Sequence, residues 1–326
     1  MKKSILIIAS ILTTMSINAQ VPVDYEIATW QGFKKAAITY SFDDGTPNQL
    51  PIAVPILDKY GYKGTFNLIT SWVTEWNGWK TAADNGHEIA SHTVSHPSLT
   101  ELSDTDQTKQ LAQSKELIEQ MIGKECITMV YPYCNRGNDA IVADYYISAR
   151  SCSGQISDAS PQNLFDITSK VVGTESNMQT AVQFNEWVAS AVDKSGWCVF
   201  LIHAIDNDGG YSPIKSTELD AHLRYVKDAE PTFWVGTFAE ITKYIIERNS
   251  LIINEVQGMD YIEVSVSLST SNKLTKLDVP VSVKRKLPDG CEKMVVTNNN
   301  RVVKSEIEDG YILFDVVPDE TYTLTF

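Results

Sequence analysis

Ala36-Ala37-Ile38-Thr39-Tyr40-Ser41-Phe42 runs directly into Asp43-Asp44-Gly45-Thr46. The first part carries no charge, is too short for a buried helix and stops at a turn-forming Asp-Asp-Gly. That describes a strand buried on both faces, as the strands of a parallel sheet are. Asp43 and Asp44 then stand at its C-terminal end, where adjacent residues point in different directions and two carboxylates are free to take separate roles. Asp-Asp-Gly by itself is an ordinary turn. The rest of the chain decides whether this one is more.

Working outward, Gly64 to Ile69, Cys126 to Tyr131 and Trp197 to Ile202 repeat the short apolar run. Between these runs lie helical patterns at Asp104 to Ile122, Ala140 to Tyr146, Ala181 to Val192, Ser216 to Val226 and Thr237 to Glu247. Strand and helix in alternation predict an α/β barrel or a doubly wound sheet, with functional groups at the strand C-terminal ends. After Arg248-Asn249-Ser250 the pattern turns to short alternating segments such as Tyr261 to Val266, Tyr311 to Phe314 and Tyr322 to Phe326, punctuated by Pro288-Asp289-Gly290 and Asp309-Gly310. This predicts a small antiparallel β domain, sandwich-like, over residues 251–326, docked on a main domain over residues 20–250 because no long Pro or Ser linker separates them.

Residues 1–19 have Lys2 and Lys3, an apolar run from Ile5 to Leu12 and a small-residue end at Ser16-Ile17-Asn18-Ala19. That is the pattern of a secretory signal peptide. The run is too short to span a bilayer and no cysteine follows it for a lipid, so we expect no membrane anchor after cleavage and a mature chain working in the periplasm or outside the cell. The formal net charge of -14 argues against binding to a phosphate backbone, so nucleic acid is not an expected partner. It also disfavours polyanionic glycans relative to neutral or cationic ones. The cysteines Cys126, Cys134, Cys152, Cys198 and Cys291 form no CxxC pair and are odd in number, which excludes a thiolate metal site and a full disulfide framework. We expect Cys126, Cys152 and Cys198 to be buried free thiols, with room for one bridge.

Further chemistry-bearing residues fall into motifs. In Ser91-His92-Thr93-Val94-Ser95-His96 two histidines four apart would meet on one side of a helical turn and reach one ion. His87-Glu88 does not complete a zinc-protease HExxH, because Ser91 stands where its second histidine belongs; His87 reads as structural. Leu201-Ile202-His203 places a histidine just after an apolar strand, again at a sheet's mouth.

Taken in order, Ser41 to Gly45, Ser91 to His96, Tyr131-Pro132-Tyr133 and Leu201 to His203 resemble the polysaccharide deacetylase family with the NodB homology domain, carbohydrate esterase family four. The resemblance runs from about Ala36 to Asn249 and includes Gly86-His87-Glu88-Ile89 and Phe233-Trp234-Val235. It implies a distorted (β/α) barrel with one divalent cation on Asp44, His92 and His96. That ligand set suits zinc first, with cobalt, nickel and iron open. It also implies that Asp43 takes a proton from the attacking water, that the Tyr133 backbone N–H helps to hold the oxyanion, and that His203 protonates the leaving group.

The chain departs from the family in two places. Val130 stands where the family has an arginine that orients the base, and Cys134 where it has a glycine; Arg136 and Arg150 are the candidates to replace the cation. The aspartate-tryptophan element that supports the catalytic histidine is missing between Tyr146 and Thr168, with Asp158, Asp206 and Asp208 as candidates to stand in. Trp72, Trp76 and Trp79 sit close together in a polar stretch and are candidates to stack on sugar rings, to pack in the core or to meet the C-terminal domain. The expected function is hydrolysis of acetyl groups, an amide bond first and an ester second, on an oligo- or polysaccharide. A glycan-binding member with a metal site and little turnover, and a small-molecule amidohydrolase, are the alternatives.

Overall fold

The computed structural model describes residues 21–326. The signal-peptide pattern lies outside them. Among the described residues no helix is long and apolar enough to cross a membrane.

The chain order begins with β1 (Tyr25–Ile27), β2 (Ala36–Asp43), α1 (Val54–Lys59), β3 (Thr65–Leu68), α2 (Trp76–Asp84), β4 (Glu88–Ser91), α3 (Asp104–Ile122) and β5 (Thr128–Val130). It continues with α4 (Asp139–Val142), β6 (Ser148–Arg150), β7 (Lys170–Val171), α5 (Ala181–Val192), β8 (Trp197–Ile202), α6 (Ser216–Asp228), β9 (Phe233–Val235) and α7 (Phe238–Ser250). The strand opened above, β2, is buried along its whole length. It is the centre of a parallel sheet ordered β6-β5-β4-β3-β2-β8-β7. β8 pairs along one edge from Ala37 to Phe42, while the other edge is shared: β9 takes Ala36 to Ile38 and β3 takes Ser41 to Asp43. That divided edge makes the barrel uneven. The sheet curls round until irregular backbone closes it, with Ile167 bridging Arg150 and leading into β7 beside β8. The fold is a distorted α/β half-barrel, as the sequence leads one to expect.

Helix ends follow their local chemistry. The Ser103 hydroxyl accepts the Asp106 N–H at the start of α3, and Gly123, with φ 78°, ends it in the left-handed region that favours glycine. Capping boxes Thr180/Gln183 and Thr237/Glu240 start α5 and α7. The helix expected over Ala140 to Tyr146 is shorter, a single turn from Asp139 to Val142 followed by turns. The region His92 to His96 is not helical: β4 ends at Ser91, and Thr93 and His96 have φ values of 68° and 62°.

Beyond α7 lie β10 (Leu251–Gln257), β11 (Tyr261–Leu268), β12 (Val281–Lys286), β13 (Val295–Asn298), β14 (Arg301–Val302), β15 (Ser305–Glu308), β16 (Tyr311–Val316) and β17 (Thr321–Thr325). They form two antiparallel sheets, β10-β11-β17-β13-β14 and β1-β12-β16-β15. The inward residues Ile262, Val264, Val281, Val283, Ile312 and Leu324 share a core with Trp30 and with Tyr244 and Ile245 of α7, so sheet and barrel are packed together. By sequence β1 falls in the main domain, residues 20–250, yet its ladder is with β12, Tyr25 opposite Arg285. Three residues carry too little pattern to show such a partner. Arg248 fastens the joint, donating to the carbonyls of Thr29 and Ala159 with its guanidinium over the Trp30 ring.

Candidate active site

Every expected site residue except Trp76 reaches the C-terminal end of the barrel, Trp79 only as part of the wall of an adjoining groove. Asp43 is the last residue of β2 and is buried. Asn67, from β3, donates to its Oδ1 at 2.9 Å, and Arg150, from β6, donates to its Oδ2. Burial alone would raise this carboxyl. The charge and hydrogen bond of Arg150 oppose it, and the group is held below the ordinary carboxylate value, so Asp43 is ionised.

Arg150 therefore supplies the cation that Val130 lacks. It is almost wholly buried and its Nη1 donates to Ser169 Oγ at 3.1 Å. Arg136, the other candidate, is spent on Asp139 and Asp166 at 2.6 and 2.8 Å. Val130 contributes by its backbone: its carbonyl accepts His92 Nδ1–H at 2.9 Å. That fixes the tautomer, leaving the neutral ring with its Nε2 lone pair aimed into the site. Burial draws His92 down to about 3, only partly offset by Asp43, so it stays neutral.

Asp44 has φ 73°, a left-handed turn directly after the strand. His92 Nε2 is 3.1 Å from His96 Nε2 and 3.5 Å from Asp44 Oδ1, while His96 Nε2 is 3.9 Å from the same oxygen. The loop that delivers His96 is held by its own N–H donating to Thr93 Oγ1 at 3.0 Å. The three donor atoms lie within 4.8 Å of one another. Asp44 Oδ1 is buried without a hydrogen-bond partner, and burial together with the charge of Asp43 pushes its carboxyl up to about 7. A buried anionic oxygen beside lone-pair nitrogens is under-satisfied without a cation. A nitrogen and oxygen set of this kind fits a divalent metal.

His203 follows β8 and faces the same cavity, of about 520 Å³, as Asp43, His92, His96 and Tyr133. Its Nδ1 is buried with no partner. Tyr133 lies just past Pro132 with φ 55°, and its exposed ring packs on His96 at 4.6 Å between centroids. The next residue, Cys134, is bonded to Cys152, two residues beyond Arg150. Cys152 is thus not the free thiol expected; Cys126 and Cys198 are free and buried. The pairing was not legible because the two cysteines meet only once the β5 and β6 loops are folded side by side.

An adjoining groove of about 680 Å³ shares Asp44 and Tyr211 with this cavity and is lined by Trp72 and Trp79. The tryptophans divide. Trp79 is buried against Phe66 and Trp76 is half-buried on the core, whereas Trp72 is exposed at 5.8 Å from the His96 ring. Tyr211, 4.9 Å from the His203 ring, is an exposed aromatic with no sequence signal beyond its Gly209-Gly210 turn. His87 is structural, its Nδ1 accepting the Gly64 N–H and its Nε2 facing Asp58 at 3.2 Å.

The fold and site define an α/β barrel with a candidate metal centre at its mouth. Residues 31–146 match the family model described as polysaccharide deacetylase, the family that the sequence motifs resemble. A Bacillus protein named gellan lyase is 28% identical over 323 residues, covering 91% of this chain and 13% of that one. A peptidoglycan-N-acetylglucosamine deacetylase of Bacillus cereus is 32% identical over 95 residues, 28% of this chain and 34% of its own length. The chain thus spans a small part of the one relative and about a third of the other. A crystal structure from Mycobacterium smegmatis, provisionally assigned as a polysaccharide deacetylase, has the same fold, with TM-score 0.54 and 16% identity over 70% of this chain and 94% of that one.

Proposed function

We propose that the protein is a metal-dependent hydrolase that removes acetyl groups from an acetylated oligo- or polysaccharide. The observation that carries this reading is the meeting, at one barrel mouth, of an ionised Asp43 held by Arg150 and Asn67 with the donor group Asp44, His92 and His96. Asp44, His92 and His96 would hold a divalent cation, zinc in our reading, which would supply Lewis acidity toward the acetyl carbonyl and water. Asp43 takes the proton of the attacking water; Arg150 and Asn67 keep its carboxylate oriented. The Tyr133 N–H, turned by its left-handed backbone, donates to the developing oxyanion. His203 stands on the leaving-group side.

The exposed rings of Trp72 and Tyr211 border the groove, that of Tyr133 borders the catalytic cavity beside it, and all three suit stacking on sugar rings. A groove running on from the catalytic cavity favours a chain substrate over a small cyclic amide. The glycan-binding reading without turnover drew on the missing arginine at Val130, and Arg150 removes that ground. In this reading the chain divides into residues 20–250 and 251–326, with β1 lent to the second part. Export fits as well, since a disulfide beside the site suits an oxidising compartment. Replacing the base tests the function: Asp43→Asn should lower acetate release from an acetylated glycan by at least about a hundredfold. Release at the wild-type rate would refute the assignment.

A further inference from the structure

We infer that the acetyl group removed here is carried on oxygen, so that the substrate class is an O-acetylated glycan cleaved as an ester. This rests on the hydrolase reading above and departs from the amide expected first from the sequence.

The two bonds make the same demand on attack and a different one on departure. In both, the oxygen of water bonds to the acetyl carbon and its proton passes to Asp43. In an ester the carbon–oxygen bond then breaks, and the sugar oxygen can leave as an alkoxide that collects its proton from solvent, giving acetate and a sugar hydroxyl. In an amide the carbon–nitrogen bond breaks only once the nitrogen has received a proton, because an amine anion is far too basic to depart. Amide cleavage therefore needs an acid held charged and ready in the site.

His203 is the residue placed to be that acid, and it is not built to hold a charge. An imidazolium has two N–H groups to satisfy, and His203 Nδ1 is buried without a partner. The carboxylates that sequence offered for it are committed elsewhere. Asp208 accepts from Thr46 Oγ1 at 2.8 Å and from the N–H groups of Asn48, Ile205 and Gly210. Asp206 accepts the Ser216 N–H at 2.9 Å, at the start of α6. Asp158 is exposed. Asp166, within the Tyr146 to Thr168 stretch, is bonded to Ser151 and Arg136. Among the described residues no acceptor reaches His203 Nδ1. Burial lowers its proton affinity in the same sense, with the charge of Asp43 offsetting only part. The machinery for attack is complete in Asp43, Arg150 and Asn67; the machinery for protonating a leaving nitrogen lacks its support. That asymmetry is what ester cleavage tolerates and amide cleavage does not.

The test is a matched pair: a 2-O-acetyl glucoside and the N-acetylglucosaminide with the same aglycone, differing in one atom at the scissile bond. Acetate release by the zinc-loaded protein should favour the ester by at least about a hundredfold in kcat/KM. Equal or faster release from the amide overturns the inference and leaves the hydrolase reading standing. Release from neither, nor from acetylated xylan or chitin oligomers, overturns the hydrolase reading and this inference with it. A second readout needs no turnover: imidazole nitrogen NMR should show His203 neutral at pH 7, titrating below the ordinary 6.5. A midpoint above 7 would show a supported imidazolium and contradict the inference.

Discussion

At the scale of single residues, the site turns on which strand supplies the cation for Asp43. The sequence shows Val130 where an arginine is expected, and nothing in a linear reading separates Arg150 from a surface arginine. The fold does, because β6 lies at the edge of the curled sheet and its last side chain turns inward to Asp43. Arg150→Met leaves a buried carboxylate unpaired, and breaking such a pair costs about 3–5 kcal/mol. The same change should lower turnover by about tenfold or more, with Arg150→Lys recovering part of it. Stability measured by denaturant and kcat measured alongside check this; wild-type values for both in Arg150→Met would show the pair to be idle. Asp43, Asp44, His92, His96 and His203 were all legible, because each follows an apolar strand or belongs to a short motif. The orphan state of His203 Nδ1 was not, since it depends on where Asp206 and Asp208 turn their side chains.

At the scale of elements, the strands were legible from uncharged runs and α3, α5 and α7 from period and caps. The loops were not. His92 and His96 meet through a loop with two left-handed residues instead of a helical turn, and spacing alone cannot tell these apart. The Cys134–Cys152 bridge joins the loop carrying Tyr133 to the end of β6 carrying Arg150. It closes a loop with sequence separation 18, for which chain entropy gives about 3 kcal/mol. Both Tyr133 and Cys134 have positive φ without being glycine, a conformation the surroundings must hold. The double variant Cys134→Ser with Cys152→Ser should lose about 2–4 kcal/mol in chemical denaturation, and its kcat should fall more than its KM rises. Unchanged stability would show that the bridge contributes nothing to the fold.

At the scale of the whole molecule, barrel and β sheets share one core through α7, and a buried carboxyl lies at their joint. Glu247 accepts the Val279 N–H at 3.0 Å, while its other oxygen has no partner. Burial pushes it up to about 8, against the opposing effects of that N–H and of Lys243. Below its unfolded value of 4.5 the group is protonated in both states and costs nothing. As pH rises towards 8 the folded protein retains a proton that the unfolded chain has released, so stability falls, by an order of a few kcal/mol across the window. Glu247→Gln keeps the acceptor and removes the titration, so its stability should exceed that of the wild type increasingly from pH 5 to pH 9. Parallel pH profiles for the two proteins would contradict this. The second domain was legible as a β domain from its alternation and turns, whereas the recruitment of β1 was hidden by its brevity.

In the proposed function, hydrolysis depends on a cation held by Asp44, His92 and His96. Acetate release from a mixed panel of O- and N-acetylated glycans, measured before chelation, after chelation and after zinc is returned, tests it most directly. Loss on chelation and recovery with zinc are expected in the wild type, with no recovery in His92→Ala. Turnover that survives exhaustive removal of metal would contradict it.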